Sequence, residues 1–143
     1  MRKIIKKSSV LILLTIITTL LFSSVSLAFQ LINSYHASFY IEHRSGNAEG
    51  QVNLSVYSSA DKVEARIQFQ KQTTDSQGRL VWKVLKEEYD YAYKVGSTTL
   101  FSYKNMILPS QGKYRVQIFI TANGKDGTEN ITWTSQESIY NPS

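Results

Sequence analysis

Beyond residue 30 the chain alternates apolar and polar side chains with a period of two, and turn-forming residues interrupt it at short intervals. Tyr35, Ala37, Phe39 and Ile41 share one face of a first segment, with His36, Ser38 and Glu42 opposite, and residues 44–47 read as a turn. Val52, Leu54 and Val56 then alternate with Asn53, Ser55 and Tyr57 up to a turn at 58–61. Val63, Ala65, Ile67 and Phe69 against Glu64, Arg66, Gln68 and Gln70 make the cleanest half-buried strand, closed by a hairpin-type loop at 74–78. Residues 80–95 are less regular. Leu80, Trp82 and Val84 share a face while Val81 and Leu85 lie opposite, and Tyr89, Tyr91 and Tyr93 then alternate with Glu88, Asp90, Ala92 and Lys94. A short helix over 82–89 would accommodate that stretch, but its aromatic and β-branched content favours a strand. Gly96-Ser97 turns the chain into a segment at 98–103.

After a turn at 109–112, Tyr114, Val116, Ile118 and Ile120 occupy one face, with Arg115, Gln117 and Thr121 on the other. Phe119 falls on the polar side, where it needs cover or a partner. A turn at 123–127 leads into a last strand from 131–133 that fades through 138–140. About seven strands with turns at roughly this spacing predict an all-β sandwich, in which two sheets each hide one face against the other. No linker, low-complexity tract or internal repeat divides residues 29–143, so they are expected to form a single domain.

The first 28 residues have a different pattern. Arg2, Lys3, Lys6 and Lys7 precede an apolar run over 10–22, and small residues follow, with Ser26 and Ala28 at the positions a signal peptidase reads. Residues 1–28 are therefore expected to be a helical signal peptide cut between Ala28 and Phe29, and the protein to be secreted, free or wall-associated. The apolar run of 13 residues is short of the ~20 a bilayer span needs, although admitting the serines and Leu27 would stretch it into an uncleaved anchor. No second long apolar segment follows, so no membrane span is expected after cleavage.

Cleavage changes the charge argument. Four of the 16 basic residues belong to the signal, leaving 12 basic against 11 acidic side chains. The alkaline pI of 9.4 then belongs largely to the export signal, and a nucleic-acid partner loses its support. The chain has no cysteine, which excludes both disulfides and lipidation at the cleavage point and fits a monoderm exporter.

The C-terminal half resembles the immunoglobulin-like and fibronectin type III sandwiches. The resemblance rests on Ile107-Leu108-Pro109-Ser110-Gln111-Gly112-Lys113-Tyr114-Arg115-Val116-Gln117-Ile118, followed by Ala122-Asn123-Gly124. It implies that Tyr114 forms a tyrosine corner, its hydroxyl bonding back to nearby backbone. Ile67–Lys71, a loop and then Trp82 look like the family's central hairpin. The spacing from Pro109 to Tyr114 is one residue longer than the usual fibronectin pattern, and no early Trp stands at 52–57. This resemblance covers roughly residues 62–140, and in ordering and length the chain is also similar to small secreted sandwich proteins of Gram-positive bacteria that have no known function. The fold hosts many unrelated functions and implies no active site.

Candidate chemistry is sparse. His36 and His43, seven residues apart on one expected strand, would point to opposite faces, and no carboxylate stands beside them at ligand spacing; no metal or other cofactor is expected. No strand–turn–helix elbow activates a serine, and adjacent Glu87 and Glu88 would face opposite sides, so no enzyme is expected. Leu108-Pro109-Ser110-Gln111-Gly112 approximates a wall-sorting pentapeptide, but a core strand follows it and the turn reading prevails. The glycosylation triplets at Asn53 and Asn130 lie in expected strands and carry no meaning in a bacterial context.

Aromatic residues carry what functional signal there is. Tyr89, Tyr91 and Tyr93 would stand on one face, and Tyr40, Tyr57, Phe101, Tyr103 and Phe119 fall on outward or ambiguous positions. The simpler expectation is that they cover an edge or fill the core of the second sheet; the alternative is an exposed platform for a glycan, a wall polymer or a protein. The functional expectation is a secreted, non-catalytic binding or structural module, with a secreted effector, bacteriocin-like or an inhibitor protein, as the competing class.

Overall fold

The computed structural model describes residues 30–93 and 98–142. The expected signal helix, its cleavage point at Ala28 and Phe29, and the turn at Gly96-Ser97 lie outside the described residues. Eight strands follow one another: β1 (Ile32–Glu42), β2 (Asn47–Val56), β3 (Ala60–Thr74), β4 (Leu80–Tyr93), β5 (Thr98–Ile107), β6 (Gly112–Gly124), β7 (Gly127–Thr134) and β8 (Ser138–Tyr140). They pair antiparallel in two sheets, one ordered β1-β2-β5 and the other β4-β3-β6-β7, with β8 also on β6. The described strands thus number one more than the sequence pattern suggests. The extra one arises because β7 and β8 share one side of β6 and are separated at Ser135. There the Ser135 amide donates to the Val116 carbonyl, and the Val116 amide donates to the Ser135 hydroxyl at 3.0 Å, so a side chain takes a place in the ladder.

Apolar residues at alternate positions make these segments strands and also decide which face turns inward. Val63, Ala65, Ile67 and Phe69 of β3 and Val116, Ile118, Ile120 and Ala122 of β6 are all buried. From the other sheet Ala48, Val52, Leu54 and Val56 of β2, with Ile41 and Leu100, join the same core. Each fully buried Ile or Phe contributes about 1.5–3 kcal/mol relative to exposure, so the facing rows are the main stabilising term. The sheets come closest at Gly50: a β-carbon there would lie 3.1 Å from Ile67 Cγ2 and 3.3 Å from Val116 Cγ1. Gly46 serves the turn before β2, with φ at 68° and the Tyr140 hydroxyl where a side chain would begin.

The irregular period over 80–85 has a structural cause. The β3–β4 register slips between Phe69 and Gln70, so Lys86 pairs Phe69 while Val84 pairs Gln70, and Leu85 is the extra residue of a bulge. One inserted residue exchanges the faces. Leu80, Trp82 and Val84 before it and Glu87, Tyr89, Tyr91 and Tyr93 after it all share the outer side of the sheet.

The middle of the inner side of β4 is charged instead of apolar. Lys86, Glu88 and Asp90 pair with the inward residues Phe69, Ile67 and Ala65. Asp90 accepts from Ser102 Oγ at 2.6 Å and Lys104 Nζ at 2.9 Å, and Lys86 Nζ reaches the Asn105 carbonyl at 2.7 Å, so a polar seam joins β4 to β5 of the opposite sheet. Inward charges of this kind also discourage another strand from adding to the edge. At the far side, Glu129 of β7 accepts the amides of Leu31 and Ile32 at 2.6 and 2.9 Å and ties the start of β1 to the larger sheet. Tyr114 is buried at the start of β6, and its hydroxyl donates to the Ser110 carbonyl four residues upstream.

Two outcomes follow. Tyr114→Phe should lower the free energy of unfolding by about 1 kcal/mol or more, by leaving the Ser110 carbonyl without its donor, and urea denaturation will read it. For Asp90, partial burial works to raise the carboxyl's pKa, but the Ser102 hydroxyl and Lys104 ammonium outweigh it and hold it below the ordinary carboxylate range. Its stabilisation is complete above the unfolded carboxyl's pKa and lost as pH falls through the lower native value. Asp90→Asn should therefore lose less stability than the native chain between about pH 5 and about pH 2, measured as urea midpoints.

Candidate functional site

The bulge and the inner core together place a row of tyrosines outside. Tyr89, Tyr91 and Tyr93 point away from the core on β4, exposed by 40%, 47% and 71%. Of the simpler expectation, that they cover an edge or fill the core, the core half is thus overturned: aliphatic side chains with Phe69 and Tyr114 occupy the interior, while the tyrosines' strand is indeed the edge of its sheet. Their rings run nearly parallel, with centroids 6.3 Å apart and 5° between planes for Tyr89–Tyr91, then 6.4 Å and 19° for Tyr91–Tyr93.

Strand pairing lays polar groups beside each ring. The row through Tyr89 continues with Arg66, Phe119 and Thr132; that through Tyr91 with Glu64, Thr121 and Asn130; that through Tyr93 with Lys62, Asn123 and Thr128. Phe119, on the polar side of β6, receives its cover from Arg66, whose guanidinium carbon sits 4.0 Å from the ring centre. Lys62 Nζ lies 4.7 Å from the centre of Tyr91 and 5.6 Å from that of Tyr93. Further along, Arg115 stacks 4.3 Å over Trp82. A cation over an aromatic face is attracted by the ring quadrupole and keeps its outer donors toward solvent.

Beneath these cations runs an amide network. Gln70, buried on the outer side, donates to Gln68 and Gln117 at 3.0 Å each and accepts from Arg115 Nε at 2.7 Å. Glu87 accepts from the Tyr89 hydroxyl and from Gln68, and Arg66 lies 3.8 Å away. The Tyr89 hydroxyl, then Gln68 and Arg66, hold the Glu87 carboxyl below its ordinary range, and the same carboxylate pushes the Tyr89 phenol up. At neutral pH the pair is therefore carboxylate and phenol.

The outer face of the smaller sheet is also aromatic but discontinuous. Tyr40 and Phe101 stand on its two outer strands two rows apart, with the polar residues of β2 between them. Tyr103, held by the Glu49 carboxylate, has its phenol pushed up. Tyr57 is exposed in the turn after β2.

His36 faces solvent on β1, whereas His43 lies in the turn beyond that strand, its ring 6.4 Å from that of Tyr140. The expectation of both histidines on one strand is corrected by β1 ending at Glu42. Among the described residues no three His, Cys, Asp or Glu side chains gather into a metal-ligand set. An open depression beside His36 is lined by Ser34, Tyr35, Asn53, Leu54, Ser55 and Thr99, with no carboxylate in its lining. Glu87 and Glu88 sit on opposite sides of β4, as their adjacency implies. The residues that sequence reasoning did not single out are Lys62, Arg66, Arg115 and Trp82. Alternation marks the first three as outward, but only strand register places them against particular rings.

No protein-family model and no curated protein sequence matches the chain.

Because Tyr91 is half exposed and packs against Tyr89, Tyr93 and Lys62 on the outer face, outside the core, Tyr91→Ser should change folding free energy by about 1 kcal/mol or less, the range of a cross-strand side-chain pair. A thermal melt will check this.

Proposed function

We propose that the chain is an exported, non-catalytic sandwich module of the immunoglobulin-like, fibronectin type III-like class. In this reading it holds a wall polymer, glycan or protein outside the cell against the outer face of the β4-β3-β6-β7 sheet. Three features support the class: two antiparallel sheets, a strand order that passes between them, and the Tyr114 hydroxyl bonded back to Ser110 near the start of β6. Export is supported by the charged, apolar and small-residue regions within residues 1–28 and by the absence of cysteine.

The observation that carries the binding role is the row Tyr89, Tyr91 and Tyr93. Three adjacent aromatic side chains remain outside although each could bury substantial apolar area, and an exposed patch of this kind marks an interaction surface. Tyrosine suits the task because it offers a rigid ring with a polar tip at little conformational cost. Two carboxylates of β4, Glu87 in the patch and Asp90 on the inner side, support binding over acid–base chemistry. Glu87 and Asp90 are held ionised by hydroxyl, amide and cationic neighbours, well away from the near-neutral pKa a general acid or base needs.

The test is retention on purified cell-wall preparations and on a glycan array. Replacing Tyr89, Tyr91 and Tyr93 together by Ser should reduce retention by roughly ten-fold or more, since each aromatic contact is worth about 0.5–1.5 kcal/mol. Undiminished retention by a folded triple variant would overturn the assignment of the surface.

A further inference from the structure

We infer that the ligand of this surface is a linear glycan carrying carboxylate groups, laid along β4; this rests on the binding role proposed above. The shape of the patch comes first. Its apolar members are strung along a single strand: Leu80, Trp82 and Val84 before the bulge, Tyr89, Tyr91 and Tyr93 after it. A strand of 14 residues extends about 45 Å at roughly 3.3 Å per residue. A globular partner needs a broad patch of about 800 Å² on each side, whereas a long narrow track fits a chain-like ligand. The rings recur at 6.3 and 6.4 Å intervals along the strand, so an extended chain laid over them meets an aromatic side chain at each step.

Charge then narrows the class. Lys62 and Arg66 stand in the strand beside the tyrosines and are held chiefly by aromatic faces. Their nearest carboxylates, Glu64 and Glu87, lie at 3.6 and 3.8 Å, beyond the ~2.7–2.9 Å of a tight charge-assisted hydrogen bond. Each cation is thus only loosely paired, and an incoming carboxylate can compete for it. Arg115 over Trp82 supplies a third at the other end of the track.

The same two glutamates argue against a polyphosphate chain such as single-stranded nucleic acid. A phosphodiester backbone has no hydrogen-bond donor, so Glu64 and Glu87 would repel it with nothing to offset the repulsion. Sugar hydroxyls both donate and accept. They find acceptors in Glu64, Glu87 and the Thr121 hydroxyl oxygen, whose own proton goes to Asn130 Oδ1, and donors in the amides of Asn130, Gln68 and Gln117, all on this outer face. A polymer mixing hydroxyls, apolar ring faces and carboxylates matches all three features.

Affinity electrophoresis of the protein through polygalacturonate, neutral amylose and oligothymidylate tests this. Polygalacturonate should retard the native protein at least about ten-fold more strongly than amylose at low salt, and rising salt should erase the difference, because exposed charges are screened. Lys62→Gln with Arg66→Gln should remove the preference while the melting midpoint holds. The inference falls if amylose retards equally, if the double variant keeps the preference, if oligothymidylate binds more tightly than polygalacturonate, or if none of the three polymers binds. Equal retardation by amylose that still depends on Tyr89, Tyr91 and Tyr93 leaves the binding surface standing and removes only its acidic specificity. A Ser triple variant that binds polygalacturonate like the native protein overturns both.

Discussion

The inward rows of β3 and β6 are the constraint from which the surface derives. Ile67 and Val116 press against the backbone of Gly50, so the two central strands cannot rotate or slip by one residue without turning their buried side chains into water. Fixing that face fixes the other. Lys62, Glu64 and Arg66 on β3 and Phe119 and Thr121 on β6 must point outward because Val63, Ala65, Ile67, Ile118 and Ile120 point in. The positions of cations and rings on the surface are consequences of the core.

The strand that carries the tyrosines obeys a different logic. Its inner side is held by Lys86, Glu88 and Asp90 through hydrogen bonds to β5, so little of its attachment to the opposite sheet depends on apolar burial. This leaves aromatic side chains available outside at modest cost to the core. The bulge at Leu85 extends the arrangement, because without the extra residue Leu80, Trp82 and Val84 would face the opposite way from Tyr89. Polar seam and bulge together turn one edge strand into a continuous outward stripe.

The all-β class and the inward positions of β3 and β6 were legible because strict alternation has few readings. The same rule was ambiguous at 80–85, where both parities occur within six residues, and no local signal announces a bulge whose cause is the register with β3. Tyr89, Tyr91 and Tyr93 were legible as a row but not as exposed, because alternation gives two faces without saying which is inside. On β4 the residues opposite the tyrosines are charged, and a sequence reading takes charged positions as the outer ones. Here Asp90 and Lys86 are the inner ones, made acceptable by Ser102, Lys104 and the Asn105 carbonyl from a strand far along in pairing but not in hydrophobic pattern. Phe119 posed the converse problem. Its place on the polar side was visible, and its partner Arg66 became identifiable only when β3 and β6 were aligned.

That alignment also sets charge among the aromatic side chains of the surface. A bare row of tyrosines and a phenylalanine on a flat sheet would invite non-specific association. Lys62 lies against the Tyr91 and Tyr93 rings and Arg66 covers Phe119, so the apolar faces are interrupted by charges that still reach water. A ligand able to displace water from the rings must also satisfy those charges, and one that does neither gains little by settling there. Under the proposed binding role, selectivity would follow from the cations beside the tyrosines as much as from the tyrosines themselves.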